Sequence, residues 1–432
     1  MEVTVSIILM FVMIISGIEV AFAFGACIIW LVFSLGYSPS FLFPTGYSML
    51  KGAVLLAIPL FIIAGAVMEK GKIGQALIDL VQVFLGRVRG SLGIVTVVAC
   101  AVFSSICGSG AATLSCIGSV MAPIMKKEKY PSHITAAIVC CAGPIGLVLP
   151  PSVAQILYAW SGQLSVLACF LAIVGPGLLL TLLLSICSWF LLKDNKDLEL
   201  RPRLEGKLWF KDFTKKTTNA SFALFMPVII LGGIYGGFFT PTEAAAVSVV
   251  YAIPVALFAY RGVDLRGLKE AFIDSSRTIG VIMAMFFLVI SYSKLLIMEN
   301  FPDMLSNLIS SISDNPYMIM MMINVFMILI GALMDDVSAI LLCTPMLLPI
   351  VRSIGMSPIH FAAVLGINLG MGNITPPNAP FIFLSARICD ASVSKMLKPI
   401  FFLLLFAYLP TLILTTYVPD LSLFLPNLLL KR

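Results

Sequence analysis

The sequence predicts an all-α integral membrane protein: an inverted repeat with two re-entrant helical hairpins and two broken helices. Three observations carry this. Sixty per cent of the 432 residues are hydrophobic and only 11% are charged, where a soluble domain carries roughly 25% charged residues. Charge-free runs of membrane-spanning length recur along the chain. An offset of 226 residues lays the helix breakers of one half on those of the other. So few charges cannot build a solvated surface, and the formal net charge of +6 then bears on membrane topology. No basic patch is interleaved with aromatics, so a nucleic-acid partner has no support.

A helix needs about 20 apolar residues to cross about 30 Å of hydrocarbon. Runs 52–68, 217–242, 244–260, 278–293 and 399–419 fit, the N-terminal runs 3–18 and 20–36 add one or two spans, and 134–192 is long enough for two. The N-terminus lacks the basic start of a signal peptide and reads as a retained span. Two segments are anomalous. Ser91 to Met125 is a charge-free run of 35 residues, roughly 50 Å as one straight helix. Its centre, "CGSGAA" at 107–112, suits a turn, so a hairpin that enters the bilayer and returns to the same side is expected. Asn315 to Val351 is similar and is broken at "MDD", Met334 to Asp336; charges at that depth are expensive. The alternative for each is two short spans with a tight loop.

The stretch "GINLGMGNITPPNAP", Gly366 to Pro380, lies in a charge-free run from Ser353 to Ala386, yet it holds its own helix breakers. Its counterpart is "GPIGLVLPPS". With the offset of 226 residues, Pro123 falls on Pro349, Ala136 on Ala362, Gly146 on Gly372, Pro150-Pro151 on Pro376-Pro377, and the first hairpin centre at Gly108 on Met334. Lys and Arg mark cytoplasmic flanks. Lys70, Lys72, Arg87 and Arg89 precede the first hairpin, Lys126, Lys127 and Lys129 follow it, and segment 193–216 holds eight more. Arg261 to Lys269 is read as cytoplasmic again, and the second hairpin's flank 300–318 has no Lys or Arg. The halves are therefore expected to have opposite topology, the pattern of an inverted-repeat secondary transporter whose broken helices place substrate and ions near the midplane. Irregular backbone at that depth is tolerated where it is buried or lines a cavity. Oxygen ligands from backbone, Ser, Thr and Asn suit a hard cation such as sodium, and a buried carboxylate suits sodium or a proton.

Other residue types read blandly. The ten cysteines lie mostly in apolar runs without metal spacing, and His133 and His360 are too few for a histidine cluster. The 22 methionines, with "MIMMMI" at 318–323, read as apolar filler. Asp335 is the best single functional candidate against the reading of a helix cap, with Asp336 beside it. Arg387 is expected to face the cytoplasm. Thr240-Pro-Thr-Glu243 resembles a helix-capping arrangement.

Several blocks in order carry a family resemblance over nearly the whole chain: "ICGSGAATLSCIGSVMAPIM", "GPIGLVLPPS", "GGIYGGFFTPTEAAAVSVVYA", "GALMDDVSAILLCTPMLLPIV" and "HFAAVLGINLGMGNITPPNAP". They resemble the large membrane subunit of TRAP (tripartite ATP-independent periplasmic, DctM-like) transporters, within the ion transporter superfamily. The resemblance implies an elevator-type, sodium-driven importer of an organic acid such as a C4-dicarboxylate or sialic acid, multi-pass in the bacterial inner membrane. It implies sodium as coupling ion with no other cofactor or transition metal, a periplasmic substrate-binding protein, and a small membrane subunit of about four spans, here expected as a separate polypeptide.

Carried over by motif, a first sodium site would involve Ser105, Gly108, Ser109, Gly143, Val148 and Pro150. A second would involve Gly331, Asp335, Gly370, Thr375 and Pro376. Substrate would lie near Ser109, Ala111, Asn368, Thr375 and Asn378. The first tip's Gly-Ser-Gly, and Ala379 and Phe381 after the second break, depart from the common pattern. The expected layout is N-terminal scaffold spans over 1–90, a first transport repeat over 91–192, a cytoplasmic loop and scaffold spans over 193–298, a second transport repeat over 299–398 and a C-terminal span over 399–432. Not an enzyme is expected. An aspartyl intramembrane protease needs aspartates on two spans, whereas Asp335 and Asp336 are adjacent. A stand-alone sodium–dicarboxylate symporter of the same superfamily is the nearer alternative, against which the "YGGFFTPTEAAA" block argues; a channel would not need paired breaks.

Overall fold

The computed structural model describes residues 1–85, 90–193 and 206–430. Arg87, Arg89 and the basic residues Lys196, Arg201 and Arg203 lie outside them. The described residues are helical throughout, with turns and short irregular joints between helices and no strand. Among the described residues, eight helices are long and apolar enough to cross a membrane, or nine when the bent pair Ser132–Val148 and Val153–Ser161 counts as one span. The exposed surface is rich in large apolar side chains such as Phe22, Phe33, Phe225, Phe258 and Phe401. A water-soluble chain would bury these, and a lipid-facing one need not.

The elements recur in the same order in each half. In the first, Ala57–Lys70 leads to Ile73–Leu85, then Ser91–Cys107 turns into Gly110–Lys127, then comes the broken helix Ser132–Ala142, Ile145–Val148, Val153–Ser161, and finally Val166–Leu192. In the second, Leu265–Met298 leads to Phe301–Ile312, Pro316–Leu333 turns into Asp336–Ser353, Pro358–Gly372 is followed by Pro380–Cys389, and a span runs through Val393–Tyr417. Ahead of and between these lie Glu2–Ile15, Val20–Ser34, Gly206–Tyr235 and Pro241–Pro254, and a terminal helix Pro419–Leu429 packs on Val166–Leu192. The leading helix of the second half starts earlier than run 278–293 suggested. Asp264 accepts from the Gly267 N–H at 2.8 Å and caps it, so its first turns carry the basic flank.

Sequence signals account for several helix starts. Thr240 and Glu243 form the expected capping box: the Thr240 Oγ1 accepts from Glu243 N at 3.3 Å, and the Glu243 Oε2 accepts from Thr240 N at 2.8 Å. Ser165 caps Val166–Leu192 and Asn315 caps Pro316–Leu333. Two five-residue π segments, Val255–Ala259 and Leu404–Tyr408, widen otherwise α-helical spans.

The halves interlock. Helix Pro380–Cys389 of the second half packs against Ser132–Ala142 and Gly110–Lys127 of the first, while Val153–Ser161 packs against Asp336–Ser353. All ten cysteines are buried and unpaired. His360 sits in the first turn of Pro358–Gly372 with its Nε2 2.6 Å from the Thr415 carbonyl.

Candidate functional site: two hairpin tips on two helix breaks

Each hairpin tip is seated on the break of the broken helix that follows it. At the first tip, Gly108 ends Ser91–Cys107 in the left-handed region, φ 63°, where a side chain is disfavoured. Space forbids one as well: a Cβ there would stand 2.6 Å from the Pro151 carbonyl oxygen. The Gly108 carbonyl accepts from Val153 N at 3.1 Å. Ser109 then caps Gly110–Lys127, its Oγ accepting from Ala112 N at 3.5 Å and its carbonyl accepting from Thr113 N and Oγ1 at 3.0 and 2.8 Å.

The facing break is built by Pro150 and Pro151, which share a cis bond and offer no N–H. The carbonyls of Gly146 and Leu147 thereby lose their helical donors. The Ser152 hydroxyl donates to Leu147 O at 2.8 Å in compensation. Gly146 lies under the tip, and a Cβ on it would meet the Ser109 carbonyl at 2.7 Å.

The second seat repeats this plan with other residues. Pro376-Pro377 is again cis. Thr375 N donates to Gly372 O at 2.9 Å and Phe381 N to Asn373 O at 3.4 Å, serving the two carbonyls the prolines leave. Asn378 holds the tip twice, from its N–H to Ala332 O at 3.1 Å and from Nδ2 to Leu333 O at 3.2 Å. A Cβ on Gly372 would run into the Gly331 backbone. Met334 is extended, and Asp335 caps Asp336–Ser353 with Oδ2 accepting from Ser338 N at 3.1 Å. Neither Asp335 nor Asp336 is paired with a Lys or Arg among the described residues.

The structure brings most of the candidates into these seats. Ser109, Thr375 and Asp335 are half-buried, Ala111, Pro376 and Asn378 are exposed, and Gly143, Val148, Pro150, Gly331 and Gly370 are buried. Ser105 is half-buried one turn before the first tip and its hydroxyl donates back to Val102 O at 2.7 Å. The two seats touch. A Cβ on Gly370 would stand 3.1 Å from that of Pro144, its counterpart at the 226-residue offset. Phe381 lies against both Gly110 and Gly143. Gln155 Nε2 donates to Ala362 O at 3.0 Å across the halves.

Asn368 differs from its group. It is fully buried, and its Nδ2 donates to Asn324 Oδ1 and Val364 O, both at 2.9 Å; Asn324 Nδ2 in turn donates to Thr416 Oγ1 at 3.0 Å. It joins the second hairpin, the second broken helix and the last span from inside the packing, apart from the open residues Ala111 and Asn378. Arg387 is exposed in the last turn of Pro380–Cys389, and Lys126 pairs with Asp390 at 3.9 Å beside it.

Sequence reasoning did not single out Gly146, Gly372 and Asn324 for the site. The two glycines did leave a signal, since they coincide at the repeat offset. Chemically, the seats collect carbonyl, hydroxyl and amide oxygens, with carboxylates at the second only. That donor set matches hard cations and not soft ones.

The chain is similar to known membrane transport proteins. The C4-dicarboxylate TRAP transporter large permease protein DctM of Pseudomonas aeruginosa is 35% identical over 377 residues, 86% of each chain. The sialic acid TRAP transporter large permease protein SiaM of Vibrio cholerae is 31% identical over 87% of each. The isethionate TRAP transporter permease protein DctMQ of Oleidesulfovibrio alaskensis is 32% identical over 94% of this chain, which spans 64% of that relative's length. Among solved structures, the YdaH transporter of Alcanivorax borkumensis shares the fold, with a TM-score of 0.63 at 14% identity, over 89% of this chain and 90% of that one. The family described as "Tripartite ATP-independent periplasmic transporter, DctM component" matches residues 7–421; with its tip-on-break seats, the chain belongs to that family of multi-pass membrane permeases.

Proposed function

We propose that the chain is the transporting subunit of a sodium-driven system that takes up an organic acid anion across the bacterial inner membrane. The observation that carries this is the pair of tip-on-break seats, built from the same elements in both halves and meeting at Pro144 and Gly370. The hairpins are read as re-entrant from opposite sides of the membrane, because basic residues lie on both sides of the first while the flank before the second, 300–318, has no Lys or Arg.

Sodium would bind at each seat. Ser105, Gly108, Ser109, Gly143, Val148 and Pro150 would serve the first, and Gly331, Asp335, Gly370, Thr375 and Pro376 the second, many through backbone carbonyls. The anion would sit between the tips near Ser109, Ala111, Thr375 and Asn378, where the N-terminal ends of Gly110–Lys127 and Asp336–Ser353 supply positive partial charge. Asn368 would brace the second seat from behind. The seats and their bracing helices would move as one body against the remaining spans, an elevator motion. A periplasmic binding protein and a small membrane subunit would complete the system, and the relatives named for C4-dicarboxylate, sialic acid and isethionate indicate the class of anion.

The test is uptake into proteoliposomes that hold the chain with its small subunit. Labelled C4-dicarboxylates, sialic acid and isethionate would be offered with and without the binding protein and an inward sodium gradient. Uptake that needs both supports the reading. Uptake with sodium but no binding protein would replace it by a stand-alone symporter, and uptake indifferent to sodium would remove the cation sites.

A further inference from the structure

We propose that Tyr408 is a positioning residue that couples the two seats, so that a cation at one tightens the other; this rests on the sodium reading above. Tyr408 closes the π segment Leu404–Tyr408 of the last span and is fully buried. Its hydroxyl donates to the Cys141 carbonyl at 2.7 Å. That carbonyl is in the last turn before the first break. The chain turns at Gly143-Pro144, just beyond the carbonyl that the Tyr408 hydroxyl holds. Loss of that hydroxyl would remove a buried hydrogen bond from the backbone at this turn. Gly143, assigned to the first seat, is two residues beyond Cys141.

The same ring backs the break of its own, second half. A Cβ on Gly370 would lie 3.8 Å from the Tyr408 Cε1 and 3.1 Å from the Pro144 Cβ. Tyr408 thus stands where the two breaks cross, holding the backbone of one and backing the other. The repeat offset gives it no counterpart of the same kind: Leu182 occupies the matching place in the first half. One extra residue per turn in the π segment re-aims a side chain, and here it aims a hydroxyl from the last span into the crossing. A shift of the Cys141–Pro144 backbone on cation binding at the first seat would reach Gly370 through the direct Pro144 contact, which this packed ring and hydroxyl hold in place.

The test uses purified full-length chain in detergent, sodium chloride as probe and choline chloride as control. Thermal unfolding midpoints are followed against sodium concentration. The wild type is expected to show a cooperative, sodium-specific rise. Tyr408→Phe keeps the ring and removes the hydroxyl. It is expected to raise the half-saturating sodium roughly tenfold, as loss of one buried hydrogen bond implies, and to flatten the slope toward independent sites. Phe401→Leu, on the exposed side of the same span, should leave both values unchanged.

An unaltered half-saturation and slope in Tyr408→Phe would overturn the inference alone. A wild type indifferent to sodium would overturn the cation reading and the coupling together. A measurement on the wild type guards against a variant that fails to fold. Amide hydrogen exchange over 142–149 and 370–375 should slow at the same sodium concentration, and protection at separate concentrations would overturn the coupling.

Discussion

The two halves solve one structural problem with different chemistry at the tip. Both seat a two-residue turn on a helix broken by a cis double proline, and both press a glycine of the broken helix on hairpin backbone, Gly146 under the first turn and Gly372 against Gly331 in the last turn of the helix that leads into the second. The caps differ. Ser109 and Asp335 occupy the same place at the repeat offset, as do Gly110 and Asp336. The first tip is neutral and uses Gly108 in the left-handed region; the second carries two carboxylates and turns through an extended Met334. Shape is thus set by glycines and prolines that recur, and charge by cap residues that do not. On the sodium reading, a carboxylate close to the second ion would give the two ions unequal affinity.

The largest effects should come from breaking what the halves share. Gly372→Ala and Gly146→Ala each push a Cβ into hairpin backbone, which cannot swing away as a side chain can. Each is expected to destabilise the chain by about 3 kcal/mol, the upper part of the range for overpacking, measured as a loss of thermal stability in detergent. Gly232→Ala and Gly280→Ala, where a Cβ would meet nothing within 4 Å, are the controls and should be neutral or mildly stabilising. If only one of the seat glycines were sensitive, the equivalence of the two seats would fail.

The next effect sharpens the difference. Asn is as good a helix cap as Asp, so Asp335→Asn removes the charge while leaving the cap to Ser338 N intact. It is expected to weaken sodium dependence of uptake by about 2 kcal/mol, roughly 30-fold, the scale of a charge-assisted interaction. Ser109→Ala at the matching place removes a cap and no charge, and about 1 kcal/mol of stability is expected to go with it. Asp335→Asn with unchanged sodium dependence would reduce Asp335 to a cap like Ser109. The difference between the halves would then be ornamental.

How much of this was legible in the sequence depends on whether a feature is local. The breaks at Pro150 and Pro376, the turns at Gly108 and Met334, and the capping box at Thr240 are written in neighbouring residues, and each is present. The matched pair Ala57–Lys70 and Leu265–Met298, and the pair Ile73–Leu85 and Phe301–Ile312, extend the likeness of the halves. They share element type but few residues, so an offset of identical letters does not find them. The burial of Asn368 against Asn324, and the reach of Tyr408 to Cys141, join residues 44 and 267 positions apart. Such contacts are set by helix packing, for which a single sequence holds no local signal. Asn368 is therefore read best as a member of a buried polar chain, since it has no open side toward the tips.

The smallest expected effect tests whether the halves act as one body. Gly110 must be small because the Phe381 ring would stand 2.9 Å and the Gly143 carbonyl oxygen 3.2 Å from its Cβ; the closer contact is a ring edge, which yields where backbone does not. Gly110→Ala is therefore expected to cost only about 1 kcal/mol, toward the low end of overpacking. Phe381→Leu, which opens space against Gly110 and Gly143, is expected to cost a similar ~1 kcal/mol. In the double variant the new methyl occupies the space the ring vacates, so the cost should fall below the sum by at least about 0.5 kcal/mol. Thermal unfolding of the three variants in detergent measures the cycle. Strict additivity would mean that Phe381 does not rest on the first tip in the folded protein. The second half's break would then hold the first half's seat only through Pro144–Gly370 and the Tyr408 and Gln155 hydrogen bonds, and the two proposed cation sites would be coupled there and not at the first tip.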